Sequence, residues 1–91
     1  MAMPEAKLWY VYLLECKDGS IYTGIAVDVA ARFAAHCAGK GARYTRSHPP
    51  LRVLASEAFA DQAAALRAEI RIKKLNAAAK RDYANSLLAT I

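Results

Sequence analysis

Tyr22, Arg32 and His36 are a phenol, a guanidinium and an imidazole, three side chains able to do chemistry, set at close spacing. The stretch SIYTGIAVDVAARFAAH, Ser20 to His36, ends an apolar run in Tyr-x-Gly. An arginine follows that tyrosine by ten residues, and a histidine follows the arginine by four. Residues four apart lie on one flank of a helix, so Arg32 and His36 would point the same way. A guanidinium is a planar fork of donors suited to phosphate oxygens. A free phenol has a pKa near ~10 and is a poor base at neutral pH. It becomes a better one only if a neighbouring cation, here Arg32, a metal ion or a protonated His36, lowers that value. Tyr12, in Tyr10-Val11-Tyr12, is a second candidate phenol, whereas Tyr10 and Trp9 read as packing residues of a strand.

These side chains need elements to carry them. KLWYVYLLEC is rich in aromatic and β-branched residues and apolar on both alternating faces, the pattern of a central strand covered on both sides. KDG and SIYTGIA follow as a turn and a second strand, so the pair is a hairpin. A two-residue turn, Asp18-Gly19, would put Tyr12 and Tyr22 on opposite faces of the sheet. A three-residue turn, Lys17-Asp18-Gly19, with Gly19 in the left-handed conformation, puts them on one face. The longer turn is expected. Asp28 as N-cap and Gly39 as stop define a helix from about Val29 to Ala38, with Val29, Phe33 and Cys37 as its apolar stripe. GKGARYTRSHPP reads as a loop, LRVLASEAF as a third strand. Asp61 caps a second helix to about Leu75, and Asn76 caps a third with Tyr83, Leu87 and Leu88 on its apolar side. The expected fold is α/β: a small, mainly antiparallel three-stranded sheet flanked by helices, in the order β-β-α-β-α-α.

One carboxylate is out of place. On a helical wheel of the second helix, Arg67, Arg71 and Lys74 form the solvent side. Ala63, Leu66 and Ile70 form one apolar arc, and Ala65, Ala68, Ile72 and Leu75 another. Glu69 falls between the arcs. A buried carboxylate needs a partner, either a cationic side chain such as Arg32 or a metal ion bound during function.

Composition bounds the rest. With 91 residues, 56% of them hydrophobic, the chain reads as one domain, 1–91, that buries a modest core. No apolar run reaches the ~20 residues of a membrane span, and MAMPEAK lacks the pattern of a signal peptide. Cys16 and Cys37 fit no metal or redox spacing, so a reduced, cytoplasmic protein is expected. The net charge is +5, and no acid occurs between Asp28 and Glu57, an interval holding Arg32, Lys40, Arg43, Arg46 and Arg52. A segregated basic stretch points to a polyanion, with nucleic acid first. Lys40, Arg43 and Arg46 are the expected backbone contacts, while Tyr44 would stack on a base or pin the loop.

The ordered set of Tyr12, Tyr22 with Gly24, Arg32, His36 and Glu69 resembles the GIY-YIG nuclease superfamily over about residues 8–88. GKGARYT and AEIRIKKL are similar to stretches of its small, stand-alone bacterial branch. The resemblance implies a divalent-metal-dependent endonuclease that hydrolyses phosphodiester bonds in DNA. Tyr22 would be the general base or orient the attacking water, and Tyr12 would support the site and touch the scissile phosphate. Arg32 would stabilise that phosphate's developing charge, with His36 close by. Glu69 would be the sole protein ligand of one Mg²⁺ or Mn²⁺. Magnesium suits that role, since it keeps several waters and takes few carboxylates. Three positions depart from the family pattern: Tyr10 replaces the first glycine, Ile25 a lysine of some repair-type relatives, and Ala26 a small hydroxyl residue. A nucleic-acid-binding module with little or no catalysis is the alternative, and a protein-interaction domain a third class. The chain is expected to act as a monomer, with target choice left to substrate shape or to a protein partner.

Overall fold

A three-stranded antiparallel sheet frames the computed structural model, which describes residues 7–88. Its strands β1 (Trp9–Cys16), β2 (Ile21–Ala26) and β3 (Pro50–Phe59) lie in the order β2-β1-β3. The most apolar segment is therefore the central strand. The helices are α1 (Val29–Cys37), α2 (Arg43–Ser47), α3 (Gln62–Lys73) and α4 (Ala77–Leu88). The order matches the expected β-β-α-β-α-α with α2 as an addition, in a segment whose sequence reads as loop. A helix of five residues has no apolar period to read. It is built instead by the Thr45 hydroxyl, which donates to Ala42 O at 2.8 Å, and by the Thr45 and His48 amides, which donate to Ala42 O and Tyr44 O.

The hairpin uses the three-residue turn. The Cys16 amide donates to Ser20 O at 2.9 Å and the Gly19 amide to Cys16 O at 3.0 Å, with Gly19 at φ +85°. Asp18 Oδ1 accepts from the Ser20 amide and hydroxyl and stiffens the turn. Tyr12 is then paired with Gly24 and Leu14 with Tyr22, so both tyrosines share a face.

Both faces of β1 are covered, as its composition requires. Val11, Leu13 and Ile21 pack against Ala65, Ala68 and Ile72 of α3, with Trp9, Phe59 and Tyr83 at the margin. On the other face Tyr12, Leu14 and Ala26 meet Val29 and Phe33 of α1 and Val53 of β3. The three expected caps form: Asp28 Oδ1 accepts from the Ala31 amide, Asp61 Oδ1 from the Ala64 amide and Asn76 Oδ1 from the Ala79 amide.

Periodicity alone misjudges three faces. Cys37 is exposed, and His36 takes the buried position on α1. On α3 only the Ala65, Ala68, Ile72 arc is covered, while Leu66 and Ile70 are 40% and 57% exposed. On α4 Ala84 is buried and Leu88 exposed. Each helix here meets a single sheet face, so a second apolar arc finds nothing to pack on. Away from the tyrosines, Glu15 accepts from Arg52 at 2.9 Å and from Arg81 at 2.6 Å, and Arg81 also donates to Gly19 O. This ties α4 to the hairpin and gives Arg52 an acidic partner from outside the acid-free stretch. The amino-terminal residues 1–6, whose sequence lacks a leader pattern, lie outside the described residues. No described helix is long and apolar enough to cross a membrane.

Candidate functional site

Tyr12 and Tyr22 stand side by side on the α1 face of the sheet, ring centroids 6.3 Å apart. Helix α1 lays His36 against both, at 6.0 Å from Tyr12 and 5.1 Å from Tyr22. His36 is 1% exposed and every polar atom of its ring is engaged. Its Nε2 lies 2.8 Å from the Tyr12 hydroxyl, and its Nδ1 lies 2.8 Å from Thr45 Oγ1. The Ala42 amide donates to Nδ1 at 3.2 Å, which makes Nδ1 the acceptor of the neutral ring and assigns its proton to Nε2, donated to the Tyr12 oxygen; the Thr45 hydroxyl stands 2.8 Å from both Nδ1 and Ala42 O. Histidine at this position is thus a buried hub that joins β1, α1 and α2. Arg32, one turn earlier on α1, stays at the exposed rim.

Burial sets the acid–base character of the cluster. It pushes the Tyr12 phenol up to about 12, with the neighbouring Tyr22 adding to the rise and Arg32 opposing it. Tyr22 is raised by burial, pulled back by Arg32 and pushed up again by Glu69. Burial, then the Arg32 charge, holds His36 below its ordinary value. A neutral His36 corrects one option left open by the sequence. The cation that favours tyrosine ionisation within the protein is Arg32, not an imidazolium.

Two glycines make room for this cluster. A Cβ on Gly24 would stand 2.6 Å from the Tyr12 hydroxyl and 2.7 Å from Cζ, so the ring of Tyr12 lies over that backbone. Pairing through Gly24 is regular, so it is not a bulge residue. A Cβ on Gly41 would overlap His36 Nδ1. Gly41 and Thr45, in GKGARYT, are site residues that sequence reasoning misses. The second glycine of that run is the available signal.

Glu69 keeps its side chain 16% exposed and pairs with Lys73, one turn on, at 3.5 Å. The structural partner is therefore Lys73 and not Arg32. Although α3 packs on the opposite face, Glu69 is near enough to both tyrosines to raise their pKa values. Among the described residues no three His, Cys, Asp or Glu side chains cluster as a metal cage. One carboxylate fits a hard divalent ion that keeps water and takes phosphate oxygens from a substrate, and does not fit an ion held by protein alone.

Beside Tyr22 opens a cleft of about 360 Å³ walled by Ile21, Tyr22, Thr23, Tyr44, Lys73 and Lys80. Lys80 Nζ donates to Ile21 O at 3.1 Å, across the free edge of β2. Tyr44 stacks on His48, centroids 3.9 Å apart, and on Tyr22 at 5.9 Å. These contacts pin α2 beside the tyrosines. Lys40, Arg43 and Arg46 are all exposed, on α2 and the connection leading into it.

Comparison with known proteins gives a consistent match. The family model of the GIY-YIG catalytic domain matches residues 8–83. A UPF0213 protein of Cupriavidus necator is 56% identical over 88 residues, covering 97% of this chain and 96% of the relative. A UPF0213 protein of Streptococcus agalactiae is 47% identical over 81% of this chain and 84% of its own length. Among solved structures, the solution NMR structure of a protein from E. faecalis is similar with a TM-score of 0.63. It is 33% identical and the match covers 96% of this chain and 93% of that one.

Proposed function

Because the chain belongs to the GIY-YIG catalytic-domain family, we propose that it is a divalent-metal-dependent endonuclease acting on DNA. The observation that carries this reading is the convergence of five groups. Tyr12, Tyr22 and His36 are in mutual ring contact. Arg32 and Glu69 both lie within electrostatic reach of the two phenols.

In this reading Arg32, exposed at the rim, binds the scissile phosphate through its donor fork and stabilises charge as it develops. Tyr22, a phenol in the free protein, holds the attacking water by its hydroxyl. Tyr12 is fixed by His36, and its oxygen keeps a lone pair directed away from that contact. A divalent ion at Glu69, Mg²⁺ or Mn²⁺, would supply Lewis acidity at the phosphate and cancel the carboxylate charge that raises Tyr22. Lys40, Arg43 and Arg46 extend the contact along the nucleic-acid backbone. The protein acts as a monomer in the cytoplasm, where its two unpaired cysteines stay reduced, and a partner or the substrate's shape selects the target.

The test is incubation of the purified protein with labelled duplex, branched and single-stranded DNAs, and with RNAs, in Mg²⁺, Mn²⁺ or chelator. Metal-dependent nicking of DNA, lost in Glu69→Gln, is the expected result. Binding of DNA with no cleavage of any substrate in either metal would leave a binding module in its place.

A further inference from the structure

We propose that the cleft beside Tyr22 is a second phosphate subsite. It holds the phosphodiester next to the scissile one on the same nucleic-acid strand, with Lys80 and Lys73 as its cationic ligands. The proposal rests on the nuclease reading and says where the strand runs: across the free edge of β2.

Two ammonium groups and no carboxylate line this cleft. Lys80 is anchored, since its Nζ donates to Ile21 O at 3.1 Å. That bond uses one of three N–H groups and leaves two for a ligand. Burial and the nearby Lys73 charge both lower the Lys80 pKa, so the pair is uncomfortable alone and favoured once an anion sits between the two. Lys73 has a half-exposed side chain and only a 3.5 Å contact to Glu69, so it can turn to a phosphate at little cost. The other walls favour a nucleotide strand over a bare inorganic anion. Ile21, Tyr22 and the Tyr44 ring give apolar surface for a sugar or base beside the charges, in a space of about 360 Å³. Tyr22 belongs both to this cleft and to the tyrosine cluster, so the two phosphates would be neighbours.

The experiment measures binding of a short fluorescein-labelled DNA single strand by anisotropy over a salt series. It uses Tyr22→Phe protein, so that the strand is not consumed. Lys73→Met and Lys80→Met, each added to that background, are expected to weaken binding and to reduce the slope of log affinity against log salt by about 0.7 per lysine. In the wild-type background Lys80→Met is expected to raise KM for cleavage with little change in kcat. Melting temperature is measured alongside, because Lys80→Met also loses the bond to Ile21. Lys73→Met, with a half-exposed ammonium, leaves the fold intact and decides the matter. An unchanged salt slope in both variants, with DNA still bound, would overturn the subsite and leave the nuclease reading standing. Failure of the wild-type chain to bind any DNA or RNA would overturn both.

Discussion

At the residue scale, His36 governs the site through hydrogen bonds that only a buried histidine can hold. Its pKa is held below the ordinary 6.5, so the folded protein keeps the ring neutral where the unfolded chain would charge it. Stability is then full above that value and falls as the pH drops below it, toward the lower folded pKa. Melting temperature measured downward from pH ~7.5 should begin to fall near ~6.5, and His36→Gln should flatten that part of the profile. Thr45 is the second contact of the ring. Thr45→Val removes the hydroxyl shared by Nδ1 and Ala42 O and is expected to cost about 1–3 kcal/mol and to slow cleavage, while Thr45→Ser keeps both contacts. If valine cleaves as fast as serine at equal stability, the hydroxyl does not set the ring. Glu69 behaves differently. Its pair with the half-exposed Lys73 is an i,i+4 contact worth about 0.3–0.5 kcal/mol, so Glu69→Gln should leave chemical denaturation almost unmoved. A large loss would mean that the carboxylate is structural.

At the scale of elements, the hairpin and α1 form one device for presenting two phenols. The left-handed Gly19 sets the register, the register pairs Tyr12 with Gly24, and the missing side chain at Gly24 lets the Tyr12 ring lie flat toward His36. Gly24→Ala would place a Cβ 2.6 Å from the Tyr12 hydroxyl, so the ring must move. The expected cost is about 1–3 kcal/mol, accompanied by loss of cleavage and a changed near-ultraviolet circular dichroism spectrum. A variant of normal stability and activity would show that Tyr12 need not sit there. The short helix α2 adds the third side. Tyr44, stacked on His48 and Tyr22, and Thr45, bonded to His36, hold it against the cluster.

At the scale of the molecule, the proposed contact with a polyanion rests on the cations on and beside α2. Of the five basic residues in the acid-free stretch, Arg52 is paired with Glu15, which Arg81 also engages. The pair of arginines holds the Glu15 carboxyl below the usual range, so this clasp is complete above that range and lost in acid as the carboxylate protonates. Lys40, Arg43 and Arg46 remain exposed for a ligand. Affinity for DNA should therefore drop steeply with salt, and replacing these three by alanine should reduce the salt slope by about 2–3. Replacing Arg52 should change it little. Equal effects from Arg52 and the three would mean that the binding face is spread over the whole surface.

Features built from residues close together along the chain are legible in the sequence itself. The doubly apolar β1, the Lys17-Asp18-Gly19 turn and the caps at Asp28, Asp61 and Asn76 all follow from local patterns, whereas the set of Tyr12, Tyr22, Arg32, His36 and Glu69 is legible only through the resemblance to a known family. Local chemistry decides the strand, the turn and the caps: alternation along a strand, a left-handed glycine, a carboxylate or amide within reach of the next turn's amides. What depends on packing between distant segments cannot be read that way. The depth of His36 is decided by how far α1 settles on the sheet and by α2 closing over it. Which arc of α3 is covered depends on the single sheet face it meets, which leaves Leu66 and Ile70 exposed. Lys80 reaches Ile21 across 59 positions of chain, and no spacing along α4 encodes that meeting. Sequence determined which chemical groups the protein owns and on which elements they ride. Tertiary structure alone decided which of them are dry, because burial depends on every surface that closes over a group.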